Sequence, residues 1–198
     1  FAQAIFRQML GLGEYGFPES HAYSFAMLAY ASAWLKRHEP ACFLMALLNA
    51  QPMGFYTPSQ LIQDARRHGV RVLPVDVRHS DWDCTLEAPH ERIAGVELPQ
   101  PAVRLGLCMV AQLPKTSGER VAQVRAQAPF RSTEDLALRA RLQRAGLEAL
   151  AAADALRGLS GPRRQQMWDA AALQVQPPLF AGVPVHEAPV QLAAAPEG

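Results

Sequence analysis

Ser20, His21 and Ser24 are the first residues in the chain whose types and spacing suggest chemistry. They fall in the opening turns of a predicted helix, where unpaired backbone N–H groups and the positive end of the dipole favour an anion. Two hydroxyls and an imidazole add donors at that tip, so the group suits a phosphate; Ser20 reads equally as a helix cap, with His21 packing locally. Asp76, His79, Asp81 and Asp83 gather four metal-ligating side chains within eight residues. Their types are those of a strand-to-strand turn and their spacing matches no ligand set, so a turn is the expectation and no metal site is assigned. Cys42, Cys84 and Cys108 are scattered and lack C-x-x-C spacing, which indicates neither a zinc site nor a disulfide framework and fits a reducing compartment.

The element that must position the first group runs from Pro18 to Pro40. Pro18 suits a helix start and Pro40 forbids continuation. Ala22, Ala26, Ala29 and Ala33 form one stripe, Tyr23, Met27, Tyr30 and Trp34 a second, and Phe25, Leu28 and Leu35 lie on a third. A helix apolar all round is expected to be buried, its Ala stripe letting a neighbour come close. Lys36, Arg37 and His38 close it with cations where the dipole favours them.

Upstream, residues 1–10 read as the end of a helix closed by Gly11-Leu12-Gly13. Downstream, Pro40 opens a helix with Phe43, Leu44, Leu47 and Leu48 as its apolar face. Thr57-Pro58-Ser59-Gln60 has the order of a capping box, predicting a helix to His68 that stops at Gly69. From Val70 the period becomes two: Val70, Val72, Val75 and Val77 suggest a strand broken at Pro74, and Thr85–Glu87 and Val103–Leu107 suggest two more in a small antiparallel sheet. Helices resume after 108. Thr116 or Ser117 caps one, Ser132 opens another, Leu142 to Leu156 makes a third, and Pro162 starts a last one beyond the turn at Gly158–Gly161. After Gln174 come Pro177, Pro178, Pro184, Pro189 and Pro196 with few core formers, as in a linker.

The class is therefore mainly α, with four expected regions: a helical segment 1–69, a small β-containing connector 70–107, a helical region 108–173 and a Pro-rich tail 174–198. The 198 residues carry a net charge of only +1, distributed unevenly. Residues 101–165 have eleven Lys/Arg against five Asp/Glu, whereas residues 1–100 have eight against ten, so the later region is where a polyanion is expected. No run is long and apolar enough for a transmembrane helix and no signal-peptide pattern opens the chain, so no membrane partner and a cytoplasmic location are expected. Opening at Phe1 within a helical pattern, the chain is expected to be a piece of something longer.

Tyr15-Gly16-Phe17-Pro18-Glu19-Ser20-His21-Ala22, the aromatic and Ala-rich helix after it, and Trp34-Leu35-Lys36-Arg37-His38-Glu39-Pro40 resemble the fingers segment of bacterial C-family DNA polymerases. Gln51-Pro52-Met53-Gly54-Phe55-Tyr56 and His79-Ser80-Asp81-Trp82-Asp83-Cys84 look more like the error-prone branch of that family, used in damage-induced mutagenesis, than like the replicative one. The resemblance spans residues 1 to about 182. It implies template-directed primer extension with deoxynucleoside triphosphates on primer-template DNA, using Mg2+ ions held by palm carboxylates that this chain does not contain. It implies no 3'-5' exonuclease here, no catalytic residue within the chain, and inactivity of the segment alone. What remains is a fingers surface followed by a tandem helix-hairpin-helix region and a linker toward an oligonucleotide-binding domain. The competing reading is a non-catalytic helix-hairpin-helix DNA-binding or adaptor module.

By that resemblance Ser20, His21 and Ser24 are candidate triphosphate contacts. The first hairpin would be Gln112–Gly118, where Pro114 lacks an N–H and the usual glycine pair is missing; Lys115, Thr116 and Ser117 are its candidate DNA contacts. In the second, Ser160 and Gly161 precede a helix start bearing Arg163 and Arg164, the stronger phosphate candidate. Arg139, Arg141 and Arg144 read equally as a solvated helix face. Gln176, Leu179 and Phe180 are spaced like the short Gln-x-x-Leu-Phe peptides that dock on the sliding clamp, making the clamp, with mutasome proteins, a candidate partner; a plain linker accounts for them equally.

Overall fold

The structure, a computed structural model, describes residues 18–172 and positions 3, 5–7, 9, 10, 190 and 192. The Tyr15–Phe17 turn and the tail motif Gln176, Leu179 and Phe180 lie outside the described residues. Helix α1 spans Pro18–His38, bounded as the prolines dictate. Helix α2 is Pro40–Asn49, with Pro40 in its first turn. Helix α3 is Pro58–Arg67, and its capping box forms as its sequence predicts: Gln60 N donates to the Thr57 hydroxyl at 3.4 Å while Thr57 N donates to Gln60 Oε1 at 2.9 Å.

Three short strands follow: β1 Val72–Leu73, β2 Thr85–Glu91 and β3 Gln100–Arg104, in the order β1-β3-β2. The β2–β3 pair is antiparallel with Leu86 opposite Val103, as expected, but the β1–β3 pair is parallel with Val72 opposite Val103, so the sheet is mixed rather than wholly antiparallel. Pro74, which has no N–H to donate, follows β1 directly, and the chain then crosses over to β2 on the far side of β3. Val75 and Val77 alternate as a strand would, yet they sit in a loop and point into the core. Asp76 accounts for this: its carbonyl accepts from His79 N at 2.9 Å and Ser80 N at 2.7 Å, folding the segment into a turn.

After a 3-10 turn at Leu107–Met109 come α4 (Lys115–Gln127), α5 (Thr133–Ala140), α6 (Arg144–Ala152), α7 (Arg157–Ser160) and α8 (Arg163–Ala172). Helix α4 starts earlier than its hydroxyls suggest, because the Pro114 carbonyl accepts from Ser117 N and Gly118 N at 3.0 and 3.1 Å. Ser132 caps α5 through Asp135 N at 3.1 Å. The single helix expected from 142 to 156 stops at Ala152, since tertiary bonds win: Ala155 O accepts from Val77 N at 3.1 Å and Leu156 N donates to Gln166 Oε1 at 3.1 Å.

Two cores result. Ala41, Leu44 and Leu48 of α2, Ala65 of α3 and Val103 of β3 form one, with Val70 and Cys84; the other joins Val75, Val77 and Leu107 to the inward faces of α4–α6 and α8. Leu105 and Met109 pack against both. Buried polar side chains pin the joints. Asn49 bonds the backbone of Cys84 twice, at 2.8 and 3.0 Å, and Gln100, 2% exposed, accepts from Ala41 N and donates to the carbonyls of His38 and Leu98.

The burial expected for α1 is overturned within this chain. Tyr23 is 69% exposed, Leu28 63% and Tyr30 73%, and the contacts this helix makes with α2, Asp64 and Gln100 lie at its C-terminal end. An apolar surface of this extent is of the kind that marks an interaction site.

Three carboxylates are held below their ordinary range. Burial works to raise Asp76, but hydrogen bonds from Arg78 outweigh it; Arg104 lowers Glu87 through a two-bond pair at 2.9 Å; Lys36 lowers the more exposed Asp64. Each is easier to ionise folded than unfolded, so its stabilisation is complete above the unfolded pKa of about 4 and disappears as pH falls through the lower folded value. The thermal midpoint is therefore expected to fall as the pH drops below about 4. Glu87→Gln should lower it at pH 7 and shrink the acid-side loss, as calorimetry across that range will show.

Candidate nucleic-acid interface

The basic region does not offer all its cations to a ligand. Arg125 donates to the carbonyls of Val77 and Ser80 and pairs with Asp81, riveting α4 to the 76–81 loop. Arg139 donates to the carbonyls of Val124, Ala128 and Pro129 and to Asp135 while lying over the Phe130 ring at 5.0 Å, so it ties α5 to α4 rather than sitting on a solvated face. Arg104, Lys115, Arg144 and Arg157 pair with Glu87, Glu119, Glu148 and Asp154. Among the described residues of 101–165, that leaves Arg120, Arg131, Arg141, Arg163 and Arg164 exposed and without an ion pair.

Two of these five stand side by side in the first turn of α8. There the N–H groups have no carbonyl within the helix to bond, and Gly161, at φ 76°, turns the chain into Pro162 and the helix. Asp154, Arg157, Gly161, Pro162 and Arg163 line an open cleft of about 350 Å³ at this point. The Asp154 carboxylate in it is engaged by Arg157 at 3.3 Å and Gln166 Nε2 at 2.5 Å. Of the predicted group, Ser160 gives its hydroxyl to a 2.5 Å bond with Thr133 Oγ1 and Gly161 N donates to Arg157 O at 2.9 Å, so the donors free at this tip are the amides and guanidiniums of α8. Sequence reasoning missed Arg157 at the cleft, although it precedes the Gly158-Leu159-Ser160-Gly161 run that marked the turn.

At the first hairpin, Gln112 takes a left-handed φ of 64° and Leu113 is buried. Lys115 is exposed with its amine 3.7 Å from Glu119, Thr116 is exposed and Ser117 half-buried. Ser20, His21 and Ser24 are exposed on the opening turns of α1; the Ser24 hydroxyl donates to Ser20 O at 2.9 Å, and the His21 ring stands 4.5 Å from that of Phe25. These three groups come from separate elements, and among the described residues nothing brings them into one site.

Two of the three carboxylates singled out in the 76–83 loop are engaged structurally, Asp76 by Arg78 at 2.8 Å and Asp81 by Arg125. No cluster of three or more His, Cys, Asp or Glu arranged to hold a metal occurs among the described residues, and these donors do not fit a polymerase's Mg2+ pair. No helix among them is long and apolar enough to cross a membrane.

Known proteins resemble this chain along its length. Residues 69–166 match the model of the helix-hairpin-helix motif. The chain is 60% identical over 198 residues, all of its length, to an error-prone DNA polymerase of Azoarcus sp. (strain BH72). It is 57% identical over 193 residues to that of Methylococcus capsulatus and 53% identical over 193 residues to that of Pseudomonas aeruginosa, covering 91% and 97% of this chain. In each case it spans 18% of the relative's length. Along its whole length the chain is thus similar to one segment of the error-prone DNA polymerases, and residues 69–166 match a helix-hairpin-helix motif.

Proposed function

We propose that the chain is the fingers and DNA-gripping part of a DNA-directed DNA polymerase that extends primers across damaged template in induced mutagenesis. In this reading α1–α3 form the fingers segment, the strands a connector, and α4–α8 the helix-hairpin-helix region that holds primer-template DNA by its backbone. The observation that carries it is the 60% identity along the full chain combined with the pair of unengaged guanidiniums at the start of α8. Arg163, Arg164 and the leading amides of α8 hold a phosphate, with Gly161 shaping the approach and Ser160 bracing the turn through Thr133. Lys115, Thr116 and Ser117 make the weaker second contact. Ser20, His21 and Ser24 face the triphosphate of the incoming nucleotide, Mg2+ is held by residues outside this chain, and Gln176, Leu179 and Phe180 tether the enzyme to the sliding clamp beside mutasome proteins in the cytoplasm.

Binding of a labelled duplex across a range of salt tests the DNA-gripping role. Arg163→Ala combined with Arg164→Ala should weaken binding of every sequence alike and flatten the slope of log affinity against log salt by about 0.9 for each phosphate that is no longer neutralised. Arg144→Ala, which removes an ion-paired side chain, should leave the slope unchanged. An unaltered affinity and slope in the double variant would remove α8 from the interface.

A further inference from the structure

Gln165 precedes the buried Gln166 on α8 but is itself only half-buried, and its side chain reaches a part of the chain far away in sequence. Its Nε2 donates to Asp169 Oδ1, one turn further on, at 2.7 Å, and to Val190 O at 2.9 Å, while its Oε1 accepts from Leu192 N at 2.8 Å. Both amide hydrogens are therefore in use. Asp169 fixes which way the group faces, because a flipped amide would set Oε1 against a carboxylate. In extended chain a carbonyl and the amide two residues on point to the same side, so one primary amide can bond both as a neighbouring strand would. Leu192 is half-buried in this arrangement, whereas Val190 is 56% exposed.

We propose that the flank of α8 is a docking site for extended chain, read by Gln165 and occupied by this protein's own segment at Val190 and Leu192. Recognition runs through the backbone, since both bonds that Gln165 makes to the segment end on main-chain atoms. The side chain at 190 then matters little, but proline at 192, with no N–H, is excluded. Pro189, next in sequence before Val190, has a fixed φ and reduces the freedom that docking removes.

The composition after Gln174 is that of a linker, which predicts no fixed point on the fold. Gln165 supplies one, 25 positions back from Val190. The chain beyond Leu192 accordingly leaves from the flank of the helix whose first turn carries Arg163 and Arg164. This contact stands whether or not α8 holds DNA.

The test is amide exchange followed by NMR on the full chain, beside a free peptide of residues 186–198. The Leu192 amide should exchange about tenfold more slowly in the chain than in the peptide. Gln165→Ala should bring it to the peptide's rate while the amide of Ala170, fully buried on the same helix, stays protected. Val190→Ala should keep the protection, because it leaves both main-chain atoms in place. Leu192→Pro leaves α8 untouched and should lower the heteronuclear NOE of the Val190 amide. A Leu192 amide that exchanges at the peptide's rate in the parent, protection that survives Gln165→Ala, protection lost in Val190→Ala, or a Val190 amide as ordered in Leu192→Pro as in the parent would each overturn the proposal.

Discussion

Gly106→Ala should lower the thermal midpoint by roughly 10 °C, the equivalent of about 3 kcal/mol in a chain of this size. A Cβ there would overlap Trp82 O and the Asp83 carbonyl carbon and would lie 2.6 Å from Asp83 O. These are backbone atoms, so no side-chain rotation relieves the clash. Moving the strand away breaks the bonds from Leu107 N to Asp81 O and from Cys108 N to Trp82 O, each worth about 1 kcal/mol net and more once a buried group is left unpaired. Trp82 cannot retreat on its other side, because its ring lies against the bare backbone of Gly118, where a Cβ would overlap it as well. Gly54→Ala is the control: nothing lies within 4 Å of the added methyl. Thermal melts of the two variants should separate cleanly, and a Gly106→Ala chain that melts with the parent would show that the 81–84 and 106–108 segments do not close on each other.

Replacing Gln166 with Leu should cost a comparable amount, about 3 kcal/mol, although volume is nearly kept and the residue is on a helix. Gln166 is fully buried; its Oε1 accepts from Leu156 N at 3.1 Å and its Nε2 donates to Gly161 O at 2.8 Å and Asp154 Oδ1 at 2.5 Å. One side chain therefore ties both caps of α7 and the residue that follows the C-cap of α6 to α8, and leucine would orphan a buried amide and two acceptors. Gln166→Glu separates bonding from packing. It keeps the acceptor for Leu156 N but sets a second carboxylate against Asp154, so ionisation is disfavoured in the fold and the new group's pKa is raised. Its deficit should be greatest near pH 7 and shrink as the solution is acidified toward its pKa, whereas the Leu deficit stays constant. Urea titrations at pH 7 and pH 5 distinguish the two; equal losses at both would place Gln166 outside the network.

Much of this arrangement can be read from particular residues. Pro18, Pro40 and Pro58 set helix starts by geometry that operates within a residue or two, and the Thr57/Gln60 box and the Ser132 cap act over three, so all appear where the sequence puts them. Val75 and Val77 show what local pattern cannot supply: alternation reports burial on one side, and a loop pinned by Asp76 buries them as well as a strand does. The same holds for Arg125 and Arg139, whose sequence context is that of solvated charge and whose bonds are to carbonyls distant in the chain. Helix α1 fails for the opposite reason. Its composition is that of a buried helix, yet its apolar faces are exposed among the described residues.

Leu105 and Met109 pack against both hydrophobic clusters, so neither cluster can open fully without exposing part of the other's wall. The chain from Pro40 to Ala172 should accordingly melt as one cooperative unit. In native-state hydrogen exchange, the slowest amides of α2 and of α6 would then share one opening free energy, while those of α1, outside both clusters, exchange through a cheaper local fluctuation.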